Sequence, residues 1–419
     1  MTIQATEELR KAAASPGETS PLPRLVYLSD VPVESGCHGS ALVYRLLSQY
    51  PASRLLIIEP ADHPSDPSRR MKGVRYEILD TPSNAVSKRL GRTRFNGWVS
   101  AWKMLNAAEH VSTAQELIGE FNATAVLAVA HDFSWLAAAE LARRQQLPFH
   151  LIVHDDWPTL VPVANAFRAR AEKVFGEIYR ASESRFCVSP YMENTYRQRY
   201  GIEGTVLYPA RSSELPDFNT PPERVRISEG IFTMGFAGSL FTRDYVRQLK
   251  CLAKVLSEIG GQLVIYGPYN AESLERMGLN LPSVHAGGMH SSPDLVRQFR
   301  ERIDTLFLPM SFAPEDALAM SLNFPSKLTD YTAAGLPILI WGPNGSSAVR
   351  WAETEPSAAM VVTDASADAL RASVEKLRND SELRWRLGRS ALEVGRKYFG
   401  AAQAQEVFEN CLKGGRKAN

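Results

Sequence analysis

Cysteine is scarce in this chain of 419 residues, and the four present, Cys37, Cys187, Cys251 and Cys411, are scattered. They fit neither a metal-ligand nor a redox spacing, so free thiols in a reducing compartment are expected. No charge sign prevails either: 47 Lys and Arg against 46 Asp and Glu leave a formal net charge of +1. That excludes the global basic field of a nucleic-acid binder and the acidic tail of a disordered arm. Long hydrophobic runs are missing. Stretches such as Ala123–Ala130 are far too short to span a bilayer. Residues 1–20 lack the apolar centre of a signal peptide, and Glu7 and Glu8 are poor transit-peptide residues. A mobile polar tail is expected there.

Several catalytic signatures are absent as well. The chain has no G-x-x-x-x-G-K-[ST] phosphate loop, no G-x-S-x-G nucleophile elbow and no H-E-x-x-H zinc helix. It has no Asp-x-Asp pair, the closely spaced carboxylates with which a Mg²⁺ or Mn²⁺ ion would clamp a sugar nucleotide. Any diphosphate would then be met by Lys, Arg and helix N-termini.

What is present is a repeated alternation of strand and helix, of the kind that builds parallel sheets. The length favours two domains. Residues 209–230 are rich in Pro, Ser and charge and read as a linker. The expected division is a tail over 1–20, a first α/β domain over 21–208, the linker, a second α/β domain over 231–400, and a C-terminal helix and tail over 401–419.

In the first half, the strand Arg24–Ser29 runs into a loop holding Gly36 and Gly39, then into a helix from Ser40. The small residues would let a ligand approach the backbone, although this is not the G-x-G-x-x-G fingerprint and a plain tight turn fits as well. Residues 60–98 read as irregular and basic, with Arg69, Arg70, Lys72, Lys88, Arg89, Arg92 and Arg94. Such a segment can meet an anionic acceptor or a membrane surface, or simply be solvated. The strands Ala123–Ala130 and Phe149–Val153 end in His131-Asp132 and His154-Asp155. Carboxyl ends of parallel strands are where such sheets bind ligands.

The richest stretch is Asn323–Pro343, NFPSKLTDYTAAGLPILIWGP. Pro325 can open a helix, and Gly335 can close it in a left-handed C-cap. The strand Asp304–Pro309 precedes it, with a polar loop over 311–323 between, and Leu336–Trp341 follows as a buried strand. Ser326 and Lys327 sit in the first turn beside free backbone N–H groups, which suits phosphate. Asp330 lies three residues on, so it can share a face with Lys327 and accept from sugar hydroxyls. A solvated Lys-Asp pair on an ordinary βαβ unit fits these residues equally.

Taken together, the two Rossmann-like halves, the Gly238 turn followed by a basic residue, and FPSKLTDYTAAGLPIL resemble glycosyltransferases of the GT-B fold. They are most similar to the retaining group 1, family 4 type. The resemblance implies an α/β protein with two Rossmann-like domains whose parallel sheets face each other across a cleft. The N-terminal domain would bind the acceptor and the C-terminal domain a nucleotide sugar. It implies transfer of a sugar from a nucleoside diphosphate sugar to an acceptor hydroxyl with retention, no metal and no cofactor beyond the co-substrate. The acceptor would be a glycan, a lipid-linked molecule or a small molecule. The protein would bind no nucleic acid and would work in the cytoplasm, or at the inner face of the membrane through a peripheral contact.

By position, the resemblance places Gly238 and Ser239 in the diphosphate-facing turn and Arg243 as the basic residue behind it. Tyr266 and Gly267 match a strand end near the nucleoside. Ser326 and Lys327 face the diphosphate, and Asp330 holds the ribose. Gly36 and Gly39 approach the donor phosphate, and His154 lies beside the transferred sugar. His154, Arg243 and Lys327 carry the catalytic roles. The family's first glutamate would fall at position 322, which is Leu. Glu315 or Asp316 could replace it if the loop is longer. An epimerase of the same fold, or an inactive sugar- or partner-binding module, also fits.

Overall fold

Runs of Val, Ile and Leu that are apolar on both faces make strands only where helices cover both sides of the sheet. The computed structural model, which describes residues 22–36, 39–80, 90, 93–227, 230–240 and 242–414, has two such sheets. The first is built from β1 (Leu25–Leu28), β2 (Leu55–Pro60), β3 (Arg75–Leu79), β4 (Ala125–Val129), β5 (Phe149–Val153), β6 (Ser184–Cys187) and β7 (Thr205–Val206). Their order is β3-β2-β1-β4-β5-β6-β7, every pair parallel. The second is built from β8 (Thr233–Ala237), β9 (Gln262–Tyr266), β10 (Val284–Gly288), β11 (Thr305–Pro309), β12 (Ile338–Trp341) and β13 (Met360–Val362). Its order is β10-β9-β8-β11-β12-β13, again all parallel.

Both sheets reverse their winding beside the first strand, between β1 and β4 and between β8 and β11. At such a switch point the loops leaving the carboxyl ends part and open a crevice. The loops after β1, β4, β8 and β11 are therefore the ones that matter for ligand binding. All residues of β1, β4, β8 and β11 are buried, so these central strands are rigid supports.

The C-terminal helices tie the halves together. The helix Ser381–Phe399 packs beneath the helix Lys327–Ala334, where the would-be Cβ of Gly388 lies 2.4 Å from the carbonyl oxygen of Gly335. The chain then turns at Gly400, and the helix Ala401–Leu412 crosses back to the first sheet. There Phe408 and Leu412 join the cluster of Leu25, Tyr27, Ile57 and Ala125, with Phe408 5.5 Å from Phe186. Among the described residues, no helix is long and apolar enough to cross a membrane, and Cys187 and Cys251 are free thiols.

Two sequence expectations need correction. Residues 60–98 are not wholly irregular: β3 forms an edge strand there, its Arg75 and Glu77 paired at 2.7 Å on the exposed side. Residues 81–89, 91 and 92, with Lys88, Arg89 and Arg92, lie outside the described residues, as do the tail at 1–20 and residues 415–419. The loop over 311–323 contains a turn of 3₁₀ helix, Pro314–Asp316, and a helix, Ala317–Leu322. The helix Asn96–Asn106 gives way to a 3₁₀ turn at Ala107–His110 before the helix Val111–Ile118, and the segment before β6 is helical from Arg168 to Ala181.

Candidate functional site

The turn after β8 is the best-defined part of the crevice. Gly238 has φ +125° and Gly267, after β9, has φ +149°, conformations that side-chain-bearing residues rarely adopt. The two glycines pack edge to edge: a Cβ on Gly267 would lie 3.1 Å from the Gly238 carbonyl oxygen. Gly238 N–H donates to Tyr266 O at 3.0 Å, and Gly267 N–H to Gly288 O at 3.0 Å. Ala237 N–H donates to Tyr331 Oη at 2.8 Å, and that hydroxyl donates to Phe307 O at 3.2 Å. Tyr331 belongs to the helix Lys327–Ala334, so the helix is fixed to the turn by a buried bond.

Lys327, the first residue of that helix, lies across the glycine turn. A Cβ at position 238 would sit 2.5 Å from its Cε and 3.2 Å from its Nζ. The ammonium is 5.5 Å from the Phe236 ring centre and 5.8 Å from that of Tyr245. Among the described residues, no carboxylate pairs with it and no acceptor is hydrogen-bonded to it. Burial without a counter-charge pulls its pKa down to about 8. Ser326 is the N-cap residue, but its side chain caps nothing. The amides of Leu328 and Thr329 turn back to Pro325 O and Ser326 O, both at 3.1 Å. The donors at the helix mouth are then the first amides, those of Ser326 and Lys327.

Arg243 is the first residue of the helix Arg243–Glu258, exposed and with no ion pair among the described residues. Its neighbour Asp244 accepts from Phe312 N–H at 2.7 Å and from Ser311 Oγ at 3.2 Å, which draws the loop after β11 against this helix. On that loop Asp316 accepts from Ser311 Oγ at 2.6 Å, whereas Glu315 is exposed and unpaired among the described residues. Ser239 is half-buried beside the turn. Tyr266 contributes packing more than surface: its ring lies against Phe299 at 5.3 Å and His290 at 5.9 Å, under Gly287.

Asp330 faces the other half of the molecule. Both its oxygens accept from Arg45 Nη2, at 3.3 and 3.2 Å, and Oδ1 also accepts from Ser292 Oγ at 2.6 Å. Arg45, on the helix Gly39–Leu47, further donates to Thr329 Oγ1 and Ala210 O. Lys327 and Asp330 thus serve different surroundings despite their spacing.

On the N-terminal side, His154 ends β5 half-buried, and burial together with nearby His131 drives its pKa down to about 4. It is a neutral imidazole at ordinary pH. Asp155 accepts from Asn323 Nδ2 at 2.6 Å, and Asn323 Oδ1 accepts from Asp156 N–H at 3.3 Å. Asn323 lies four residues before Lys327, so this bridge brings the His154 strand end to the mouth of the Lys327 helix. Gly36 is folded tightly against Glu34, whose carboxylate lies 2.6 Å from its would-be Cβ. Gly39 begins its helix. The loop that holds Gly36 hangs on Glu59, a fully buried carboxylate accepting from Val33 N–H at 2.9 Å and Ser65 N–H at 3.0 Å. Among the described residues, no three His, Cys, Asp or Glu side chains converge as a metal site.

Arg45, Asn323 and Glu59 were not singled out in the sequence. The first two act across the halves, and Glu59 is hidden at the end of an apolar strand, where a lone charge is itself the available signal.

No family profile matches the chain, and no curated protein matches it in sequence. Solved structures do. Anabaena HepE in complex with UDP and glucose aligns with a TM-score of 0.61 at 15% identity, over 93% of this chain and 99% of that one. A glycosyltransferase from Rickettsia africae aligns at 0.63 and 13%, over 94% and 99%. Sucrose-phosphate synthase from Thermosynechococcus elongatus aligns at 0.62 and 14%, over 92% and 98%. With the two switch-point sheets, these alignments give the chain the two-domain GT-B fold.

Proposed function

We propose that the protein is a glycosyltransferase that moves a sugar from a nucleoside diphosphate sugar to an acceptor hydroxyl. One observation carries this reading: Lys327, an uncompensated and largely buried cation, lies over a glycine turn at a helix mouth. A diphosphate supplies the missing negative charge, and the open Gly238 backbone allows it close approach. The similar HepE structures hold UDP and, in one case, UDP-glucose.

On this reading the leaving diphosphate gains charge as the glycosidic bond breaks. Lys327, Arg243 and the amides at Ser326 stabilise that charge more than the ground state's, which lowers the barrier. The donor set is cationic and the sequence offers no Asp-x-Asp clamp, so these groups suffice to meet the diphosphate. His154, neutral, hydrogen-bonds the transferred sugar rather than attacking it, and retention then requires the acceptor hydroxyl to arrive on the face that the diphosphate leaves. Glu315 is the free carboxylate for the sugar hydroxyls, and Asp330 serves the ribose. The acceptor lies toward the first sheet.

A thermal-shift screen with UDP, GDP, ADP and dTDP tests the reading, because a ligand that binds only the folded state raises Tm. One nucleotide should stabilise the wild type, and Lys327→Ala should abolish the shift. Transfer activity should fall by about 3 kcal/mol in the barrier, the usual effect of losing one such donor. No shift with any nucleotide would leave a binding module, and a free epimerised sugar would make the enzyme an epimerase.

A further inference from the structure

The helix Asn96–Asn106 is apolar on two faces with different fates. Ser100, Ala101 and Met104 are buried against the first domain. Trp98, Trp102 and Leu105 form a stripe at i, i+4 and i+7 on an adjoining, outward side. They are 58%, 52% and 52% exposed, and Phe95, just before the helix, is 44% exposed. Isolated exposed hydrophobics need no explanation, but two tryptophans, a phenylalanine and a leucine on one face do.

The stripe is built rather than loose. Trp98 packs edge-on against Phe167 at 5.6 Å, and Gly97 O accepts from Ala164 N–H at 2.9 Å. A Cβ at Gly97 would lie 2.7 Å from that same nitrogen, so the helix start is seated closely on its neighbour.

The sequence leading into it is basic: residues 81–108 contain five basic residues, Lys88, Arg89, Arg92, Arg94 and Lys103, and no acidic one, with the exposed Glu109 following just past the helix. Of the described members, Arg94 is exposed with its guanidinium 5.1 Å from the Phe95 ring centre, and Lys103 is exposed next to Trp102 on the flank of the stripe. A protein–protein interface core is depleted in Lys, whereas tryptophan with flanking Lys and Arg is the composition of a helix lying at a lipid–water interface.

We propose that the face formed by Phe95, Trp98, Trp102 and Leu105, with Arg94 and Lys103, seats this protein on an anionic lipid bilayer. The indole rings enter the head-group region, and the cations meet the negative surface potential. The Ala164 segment on which the helix starts is the one leaving β5 past His154. The docked face is therefore at the cleft end of the first sheet. A bilayer-borne acceptor would then be within reach of the cleft, a step that rests on the transferase reading; the docking does not.

The test is co-sedimentation of the full chain with vesicles of phosphatidylcholine alone or mixed with phosphatidylglycerol, without any nucleotide. Binding is expected only to the mixed vesicles and should weaken at high salt. The Trp98→Ser/Trp102→Ser double variant should bind at least about tenfold more weakly, the change that about 1.4 kcal/mol produces. Its melting temperature should fall by no more than a few degrees, since Trp98 gives up only its edge-on contact with Phe167 and neither ring is in the core; Arg94→Glu/Lys103→Glu gives a second, purely electrostatic probe. No binding to mixed vesicles, or unaltered binding by both double variants, overturns the proposal. So does a concentration-dependent dimer that the tryptophan substitutions abolish, which would make a second copy the occupant. A failed nucleotide screen with intact vesicle binding would remove the transferase reading alone.

Discussion

Replacing Lys327 by Met should stabilise the unliganded protein while disabling it. Burial pulls the ammonium from its ordinary 10.5 to about 8. At about 1.4 kcal/mol per pH unit, the folded state bears up to about 3 kcal/mol for keeping this cation charged at neutral pH. Partial solvent access reduces the gain expected from Lys327→Met to about 1–3 kcal/mol. The pH dependence has a definite sign. Between 8 and 10.5 the unfolded chain holds the proton and the folded chain does not, so this group's contribution favours folding more as pH rises. The whole benefit is present above 10.5 and is lost as pH falls through 8. Urea unfolding at pH 7 and pH 10 should therefore show a smaller difference for the Met variant than for the wild type. Binding closes the same cycle. A diphosphate beside Nζ restores the charged form, so UDP binding at pH 9 should take up most of a proton, seen by calorimetry in buffers of different ionisation enthalpy. If Lys327→Met loses stability at pH 7, or if binding at pH 9 is proton-neutral, the ammonium is not an uncompensated cation awaiting phosphate.

Gly238→Ala combines a backbone at φ +125° with a methyl 2.5 Å from Lys327 Cε. It should lose about 1–3 kcal/mol in urea unfolding and also weaken UDP binding. Arg45→Ala should lower unliganded stability by about 1–3 kcal/mol, as loss of a charged hydrogen bond usually does, yet tighten UDP binding in calorimetry. His150, on β5, is 1% exposed, neither ring nitrogen is hydrogen-bonded among the described residues, and burial lowers its pKa to about 4. Its contribution to stability is complete above its ordinary 6.5 and is lost as pH falls toward 4, so His150→Phe should flatten the acid limb of a stability–pH curve.

The central strands were legible because a parallel sheet covered on both faces demands unbroken apolar runs, which Ala125–Val129 and Ile338–Trp341 supply. β3 was not, because this edge strand carries Arg75 and Glu77 among its five residues, and so short a mixed run looks like polar loop. The helix Ala317–Leu322 was missed although Pro314, Glu315 and Asp316 before an apolar run are a helix-start pattern. Its six residues are too few for periodicity to show. Lys327 and Gly238 were legible because a helix start and a strand-end glycine are local features. Arg45 and Asn323 were not, since their partners lie 285 and 168 residues away in the chain, and a single sequence holds no trace of such a pairing.

Asp330 explains why the two effects of Arg45→Ala should have opposite signs. An ionised carboxylate offers about four lone-pair sites. Arg45 Nη2 addresses both oxygens and Ser292 Oγ takes a further site, which leaves about one open. On the proposed reading a ribose diol brings two hydroxyls to Asp330, so its full recognition there requires the Arg45 bridge to yield. The free energy of that bridge then opposes nucleoside binding even as it holds the halves together. The bonds from Asn323 to Asp155 and from Ser189 Oγ to Leu322 O persist in the variant, since neither involves Arg45. Hinge integrity and donor affinity are thereby separable at this corner. Removing the guanidinium should free a carboxylate for the ribose while leaving the Lys327 mouth unchanged, whereas a purely structural salt bridge would weaken both stability and binding together.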